Sequence, residues 1–258
     1  MKIITELIEY REMIFSLVHR DLRGRYKGSF LGFLWSFLNP LLQLIVYTIV
    51  FSIIMRAGIQ KYYLFLFVAL VPWGFFNAAL VSGSTCVLFQ KDLIQKIYFP
   101  RQVLPLAFTI AQFINMLLSF VVIIVAFIIF GDGFNIVALF FLPFVMFIEF
   151  LLALGVTFVT SAATVYFRDL EYVLGIIAMA WQFLSPVIYS VQQIPMEYRK
   201  YFNLNPMTSV LTAYRDILYY KQVPQLSTLL SALGIAVVIV IVGWMIFEHL
   251  QKGFAEEM

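Results

Sequence analysis

The chain has 258 residues, of which 63% are hydrophobic and 12% are charged, and its formal net charge is +3 at pH 7. Soluble domains usually contain roughly 45–50% apolar and about 25% charged residues, so this composition argues against a water-soluble enzyme. Low charge and high hydrophobicity also exclude a disordered chain, and the small positive excess disfavours a nucleic-acid binder. The single cysteine, Cys86, can form neither an internal disulfide nor a zinc cluster. The composition therefore predicts a polytopic, all-α integral membrane protein.

The first 29 residues form a charged, amphipathic segment. Charges interrupt it throughout, so it lacks the apolar stretch of a signal peptide and we expect no cleavage. Its apolar residues recur at gaps of three and four, and polar residues occupy much of the opposite side. This pattern predicts a cytoplasmic helix lying in the membrane interface. Its basic end is either a plain anchor or a collar that also contacts a partner or a phosphorylated lipid.

Six apolar stretches in the region 30–247 are long enough to cross a bilayer, which takes about 20 residues. They cover residues 30–55, 62–89, 103–130, 137–167, 173–190 and 226–247. Continuous apolar runs, rather than alternating ones, exclude a transmembrane β-barrel. Prolines inside several stretches predict breaks in the helices, and the fifth stretch is the shortest.

Lysine and arginine predict the orientation. Eleven lie on the side that holds residues 1–29, the loops after the second and fourth stretches and the tail 248–258, and six lie on the other side. The positive-inside rule therefore places both termini in the cytoplasm.

The cytoplasmic loop 90–102 is longer than a plain connection between two spans needs to be. It has an apolar face at helical spacing, formed by Leu93, Ile94 and Ile97. Two cations, Lys91 and Lys96, lie beside this face. The loop is either an ordinary connection or a surface that a cytoplasmic partner binds.

The external segment 191–225 is rich in tyrosine and too amphipathic for plain solvent. Long structureless loops are uncommon, so the segment predicts short helices that re-enter the outer interface and are split at Asn205-Pro206. An interfacial aromatic belt is the alternative interpretation.

Motifs for nucleotide binding and catalysis are missing from the sequence. It contains no phosphate-binding loop of the GxxxxGK[ST] type and no GxSxG elbow, and its two histidines are far apart. We therefore expect no catalytic residue, metal or cofactor in this chain. Glu149 lies well inside a predicted span, where a carboxylate is by default a candidate functional group. A protonated or hydrogen-bonded structural group is the other interpretation.

Several short motifs follow one another along most of the chain. They are RDLRGRYKGSFLGFLWSFLNP at 20–40, FPR at 99–101, YFRDL at 166–170, SPVIY at 185–189 and NPM at 205–207. Together they resemble the membrane subunits of ABC exporters for lipid-linked cell-surface polymers, which include teichoic acid, O-antigen and capsular polysaccharide.

The resemblance implies a permease in the bacterial cytoplasmic membrane, with six spans and cytoplasmic termini. Its partners would be a second copy of itself and two separate ATPase subunits, which bind the ATP and magnesium. Loop 90–102 would be the coupling helix, and segment 191–225 would hold re-entrant helices before the last span. The substrate would be a polymer on an undecaprenyl-type lipid diphosphate, either flipped or threaded across the membrane.

The resemblance also suggests site residues. A pyrophosphate would enter beside the four cations Arg20, Arg23, Arg25 and Lys27. Aromatic side chains that could line a sugar pathway are Trp35, Phe37, Tyr47, Trp73, Phe75, Phe76 and Trp181. Core packing or lipid contact is the other explanation for any one of these seven.

Two other classes of function remain as alternatives. An ion-coupled carrier or channel would need more buried ionisable groups or an internal repeat. A membrane-embedded transferase of envelope synthesis would need a cluster of catalytic side chains.

Overall fold

The computed structural model describes residues 8–24, 34–50, 58–130 and 133–257, and the regular structure in these ranges is helical. The helices are α1 (Arg11–Gly24), α2 (Trp35–Thr48), α3 (Tyr62–Leu80), α4 (Lys91–Lys96), α5 (Val103–Phe130), α6 (Ile136–Leu139), α7 (Leu142–Tyr166), α8 (Leu170–Phe183), α9 (Met196–Phe202), α10 (Pro206–Leu218), α11 (Leu226–Leu250) and α12 (Phe254–Glu257). Short 3-10 turns lie at Ser82–Thr85, Leu88–Gln90, Val191–Gln193 and Gln251–Gly253. The prediction of an all-α protein is confirmed for the described residues.

Four described helical segments are long and apolar enough to cross a membrane. They are Tyr62–Thr85, Val103–Phe130, Ile136–Tyr166 and Leu226–Gly253, and they overlap the second, third, fourth and sixth predicted stretches. The first and fifth stretches contain shorter apolar helices, Phe37–Thr48 and Leu170–Phe183. Both ends of the first stretch, at 30–33 and 51–55, lie outside the described residues. The chain is therefore a multi-pass membrane protein with four long described spans.

Helix α3 occupies the centre of the fold. Within its most apolar window 78% of the residues are buried, against 22% in the last long span. A helix that is apolar on all sides needs apolar surroundings on all sides. For α3 these are supplied by the protein itself, because α2, α5, α7, α8 and α10 pack around it.

The helix predicted near the N-terminus is present as α1 and packs along α5, whereas its place in the membrane interface stays a prediction. Val18 is buried against Ala107 and Ala111 of α5, two small side chains that let the helices approach. Arg20 and Arg23 are exposed on the other side of α1. The helix is therefore held by the protein as well as by any membrane surface.

Helix α8 is shorter than the fifth predicted stretch, which was expected to continue to Ser190. It ends at Phe183, because Pro186 lacks an N–H group and disfavours a helical conformation at Ser185. With 14 residues, α8 is about 21 Å long, whereas the hydrocarbon core of a bilayer is about 30 Å thick. The helix alone is therefore too short to cross, and the chain continues beyond it as irregular backbone at 184–190.

The segment 191–225 is divided as predicted at Asn205-Pro206. Asn205 caps α10 by accepting a hydrogen bond from the backbone N–H of Met207 at 3.0 Å. Helix α10 is buried over most of its length, among α3, α7 and α11. It is thus part of the core.

Helices α7 and α11 form the most extensive helix pair and meet at two glycines. A Cβ atom added at Gly155 would lie 2.7 Å from the backbone nitrogen of Val240. One added at Gly243 would collide with the carbonyl oxygen of Gly155. Lipid gives apolar helices no hydrophobic reason to associate, so close backbone packing at small residues holds such pairs together. The last span is attached to α7 at a point with no room for a side chain.

We expect Gly243→Ala to destabilise the protein by about 1–3 kcal/mol, because the added methyl overpacks the contact between α7 and α11. The thermal unfolding of the purified protein in detergent measures this loss. Gly234→Ala is the matched control on the same helix, since a Cβ atom there meets nothing within 4 Å. That control should be neutral or stabilise by up to about 1 kcal/mol. Equal melting temperatures for the two variants would contradict the proposed contact.

Candidate functional site

Arg215 on α10 is a buried cation whose guanidinium binds backbone carbonyl groups. Its Nη2 donates to the carbonyl of Val187 at 2.7 Å, and its Nη1 donates to those of Pro186 and Tyr189. The guanidinium carbon lies 3.6 Å from the centroid of the Phe65 ring on α3. Among the described residues no carboxylate forms an ion pair with it. Arg215 is therefore satisfied by carbonyl dipoles and an aromatic face.

These contacts supply donors to the irregular backbone after α8. The hydroxyl of Tyr62 donates to the carbonyl of Ile188 at 2.7 Å, so each carbonyl from 186 to 189 accepts a hydrogen bond from a side chain. Non-helical backbone at membrane depth is tolerated only where the protein satisfies its polar groups. Arg215 and Tyr62 therefore allow the chain to be buried where α8 stops short. We name this set of contacts the Arg215 clasp.

A second side-chain network lies beside the clasp. Asn205 donates from Nδ2 to the carbonyl of Leu184 at 3.2 Å and to the hydroxyl of Ser185 at 2.9 Å. The indole N–H of Trp181 donates to Oδ1 of Asn205 at 3.1 Å. The SPVIY and NPM motifs thus meet in space, because the Asn205 amide of NPM binds the turn at the start of SPVIY.

Glu149 lies inside α7 and is enclosed by protein. The hydroxyl of Tyr214 on α10 donates to its Oε2 at 2.6 Å, and Oε1 has no hydrogen-bond partner among the described residues. The contact joins α7 to α10, as the structural interpretation of this carboxyl group requires. A role for Glu149 in transport stays a prediction.

The seven aromatic residues predicted along a sugar pathway separate into groups. Trp73, Phe76 and Trp181 pack on one another in the core, with ring centroids 5.7 and 5.1 Å apart. Phe37 and Tyr47 are half-buried on α2. Trp35 and Phe75 instead line a groove between helices.

This groove has a volume of about 400 Å³ and lies between α2, α3 and α5 at the level of the spans. Its polar side chains are Asn39, Gln43, Gln112, Asn115 and Ser119, and we call it the amide groove. The spacing of these polar residues in the sequence could have predicted the groove, although the motifs and charges discussed above did not. Asn39 and Gln43 are four residues apart, and the three polar residues of α5 follow at i, i+3 and i+7, so each set shares one helix face.

A second cavity, of about 660 Å³, lies beside α1 at the predicted cytoplasmic end. Of the four cations predicted to receive a pyrophosphate, Arg20 lines it and Arg23 does not. Arg25 and Lys27 lie outside the described residues. Asp21 and Glu171 also line the cavity, so its charge is mixed.

The predicted coupling segment contains α4, and its apolar residues divide between core and surface. Ile94 is buried and Leu93 packs beside it, in a cluster with Val87 and Phe99. Ile97 and Tyr98 are exposed, the latter at 95%. Lys91 and Lys96 are exposed on the same segment. The apolar surface that is free to bind a partner therefore comprises Ile97 and Tyr98, whereas Ile94 anchors the segment to its own protein.

The ends of three helices meet next to this segment. Arg101 of the FPR motif donates from Nη1 to the carbonyl of Gln251, and its guanidinium carbon lies 5.8 Å from the ring centroid of Phe254. The hydroxyl of Tyr166 donates to the carbonyl of Leu250 at 2.7 Å. The FPR and YFRDL motifs thus both bind the C-terminal end of α11.

Comparison with known proteins identifies the family of the chain. Residues 12–219 match the family model described as ABC-2 type transporter. The chain belongs to the ABC-2 type transporter family. The family resemblance predicted from the short motifs is confirmed.

The relatives of this ABC-2 type transporter chain match it over most of its length. It is 35% identical to the O-antigen export system permease protein RfbA of Myxococcus xanthus, and the alignment covers 100% of both chains. It is 29% identical to a protein of the same name from Klebsiella pneumoniae, over 95% of this chain and 94% of the relative. It is 23% identical to the polysialic acid transport protein KpsM of Escherichia coli, over 78% and 79% respectively.

Within this ABC-2 type transporter, Arg215 is the residue that sequence reasoning missed most clearly. The count of lysines and arginines included it only as one of the six on the predicted external side. A signal was available, because Leu211 and Leu218 place Arg215 on an apolar helix face. Its acceptors, however, are 26 to 29 residues away, and no local pattern predicts that contact.

We expect Arg215→Met to cause a large loss of folded protein, because it leaves the carbonyls of Pro186, Val187 and Tyr189 without donors, at about 1–3 kcal/mol for each of the two that are buried. Arg215→Lys should be intermediate, since an ammonium group cannot reproduce the planar fork. Yield and melting temperature in detergent measure the effect. Arg199→Met is the control, because Arg199 also donates to two carbonyls, at 2.9 Å each, in a more exposed setting where water can replace it. An equal loss in the control would show that burial of the clasp is not the cause.

Proposed function

We propose that this chain is the membrane subunit of an ATP-driven exporter that carries a polysaccharide across the bacterial cytoplasmic membrane. The observation that supports this best is the end-to-end similarity to an O-antigen export permease at 35% identity. Permease relatives for O-antigen and for polysialic acid favour a saccharide polymer as the substrate class. No phosphate-binding loop occurs in the sequence, so the ATP and magnesium would be bound by a separate ATPase subunit.

In this proposal the chain crosses the membrane six times, with both termini in the cytoplasm. Helices α2 and α8 are the first and fifth crossings, in addition to the four long spans. Helix α8 is sufficient for a crossing because the Arg215 clasp satisfies the backbone that continues beyond it. Two copies of the chain and two ATPase subunits form the transporter.

The substrate would be held on a lipid diphosphate, such as an undecaprenyl carrier, at the cytoplasmic cavity beside α1. Arg20 lines that cavity, and the basic run continues along the sequence through Arg23, Arg25 and Lys27. Arginine binds phosphate groups with paired hydrogen bonds, so this end of α1 suits a diphosphate headgroup.

Depletion of the chain in its host tests the proposal. We expect surface polysaccharide to be lost and lipid-linked polysaccharide to accumulate inside the cell, with recovery when the wild-type gene is restored. Chromatography of extracted lipid-linked saccharides, together with surface labelling, measures both pools. Unchanged surface polysaccharide after depletion would overturn the proposal, as would robust ATP hydrolysis by the purified chain free of any partner.

The exposed part of the coupling segment generates a further expectation. Replacing Ile97 and Tyr98 with aspartate places charge where an apolar contact with the ATPase subunit is proposed, and desolvating that charge is costly. We expect co-purification of the ATPase and its stimulated hydrolysis to fall by about tenfold or more, while the membrane subunit stays folded.

Gln95→Asp is the control for added charge, since Gln95 is exposed on α4 but contributes no apolar surface. It should retain the partner. Full partner binding and full export by the Ile97 and Tyr98 double variant would show that this segment is not the coupling element.

A further inference from the structure

The amide groove places a column of uncharged polar groups in the middle of the membrane. On α5, Gln112 and Ser119 lie about 14 and 24 Å from the start of the helix, at 1.5 Å per residue. Asn39 and Gln43 of α2 face the same space. Polar side chains inside a membrane are disfavoured unless they bind one another, the backbone or a ligand, and they often mark substrate pathways.

One of these side chains needs a partner that the described residues do not provide. Gln112 is 4% exposed, and its Nε2 has no hydrogen-bond partner among them. Ser119 differs, because its hydroxyl donates to the carbonyl of Asn115 at 3.0 Å within the helix. A buried amide nitrogen without an acceptor destabilises the protein that holds it. A ligand that accepts a hydrogen bond in the groove would remove this cost.

We propose that the amide groove binds a neutral saccharide segment of the exported polymer as it crosses the membrane. This inference rests on the function proposed above and adds a site to it. Amide side chains both donate and accept hydrogen bonds, as sugar hydroxyl groups do. Trp35, which is 38% exposed, presents an aromatic surface at the same groove. At Gly74 an added Cβ atom would meet nothing within 4 Å, so the groove is open along α3.

The lining also argues against other occupants. It contains no charged side chain among the described residues, so a diphosphate or an anionic lipid headgroup would find no cation there. A lipid tail or an apolar helix of a second copy would leave the amide nitrogen of Gln112 without an acceptor. A neutral, polyhydroxylated ligand needs no charged partner in the groove, and its hydroxyl groups can accept a hydrogen bond from the unpaired amide nitrogen of Gln112.

Photo-crosslinking in living cells identifies the occupant. The probe is p-benzoylphenylalanine in place of Gln43, which is exposed in the groove. We expect irradiation during export to give an adduct of the chain that carries carbohydrate. The same probe in place of Ile128, an exposed apolar residue of α5, is the control and should give none. An adduct at Gln43 that contains only phospholipid, or only a second copy of the chain, would overturn the proposal.

The double variant Gln112→Met and Asn115→Leu tests whether the site matters for transport. It keeps the approximate volume of both side chains and removes their hydrogen-bonding groups. We expect surface polysaccharide to appear about tenfold more slowly, as two lost hydrogen bonds predict. Melting temperature and ATPase co-purification should stay close to those of the wild type, because the change at Gln112 removes a buried amide nitrogen that has no partner among the described residues. Thr109→Val is the control on α5, since the hydroxyl of Thr109 donates within its own helix to Pro105 at 2.8 Å.

The result separates this inference from the proposed function. Export that is lost on depletion of the chain but normal in the double variant overturns the saccharide site and leaves the exporter intact. Loss of folding in the double variant, with Gln112→Asn equally unfolded, assigns the amides to structure and also overturns the site. Slow export by a stable double variant, restored in the single variant Gln112→Asn, supports the site.

Discussion

The fold depends on one constraint: carbonyl groups buried at membrane depth must receive hydrogen bonds from the protein. The chain leaves α8 early, and the Arg215 clasp supplies donors to the four carbonyls from 186 to 189. Because Arg215 is on α10, the same contacts draw α10 into the core against α3. Tyr214, the preceding residue, then reaches Glu149 on α7. The early end of α8, the burial of α10 and the burial of a carboxyl group are thus linked by one set of hydrogen bonds.

Polar groups within the described spans divide into two kinds, and the division distinguishes structural groups from candidate binding groups. One kind forms hydrogen bonds with other elements of the protein and so holds these elements together. Its members are Arg215, Glu149 and the pair Trp181–Asn205. The side chains of the amide groove converge on a space, and Gln112 has a nitrogen without a partner there. A polar residue that joins two helices explains the fold, whereas one that faces a cavity calls for a ligand.

The sequence predicted what depends on composition and short periods. It predicted the helical class, the amphipathic helix α1, the long spans that include α5, α7 and α11, and the break at Asn205-Pro206, because apolar length and proline act locally. It missed contacts between distant segments. The end of α8, the burial of Ile94 and the acceptors of Arg215 are set by neighbours far along the chain. The amides of the groove were visible at helical spacing, but only the packing of α2, α3 and α5 shows that they share one space.

Helix α3 connects the three regions that the proposed exporter needs. Its N-terminal end, predicted to be external, carries Tyr62 and Phe65, which contact the Arg215 clasp. Its middle forms one wall of the amide groove through Gly74 and Phe75. Its C-terminal end, predicted to be cytoplasmic, continues through two 3-10 turns directly into α4, where Ile97 and Tyr98 are exposed just beyond the helix. Packed interiors transmit displacement because they have little free volume. A force applied by an ATPase subunit at α4 would therefore reach the groove and the outer clasp along one enclosed helix, with no need for a separate linkage to each.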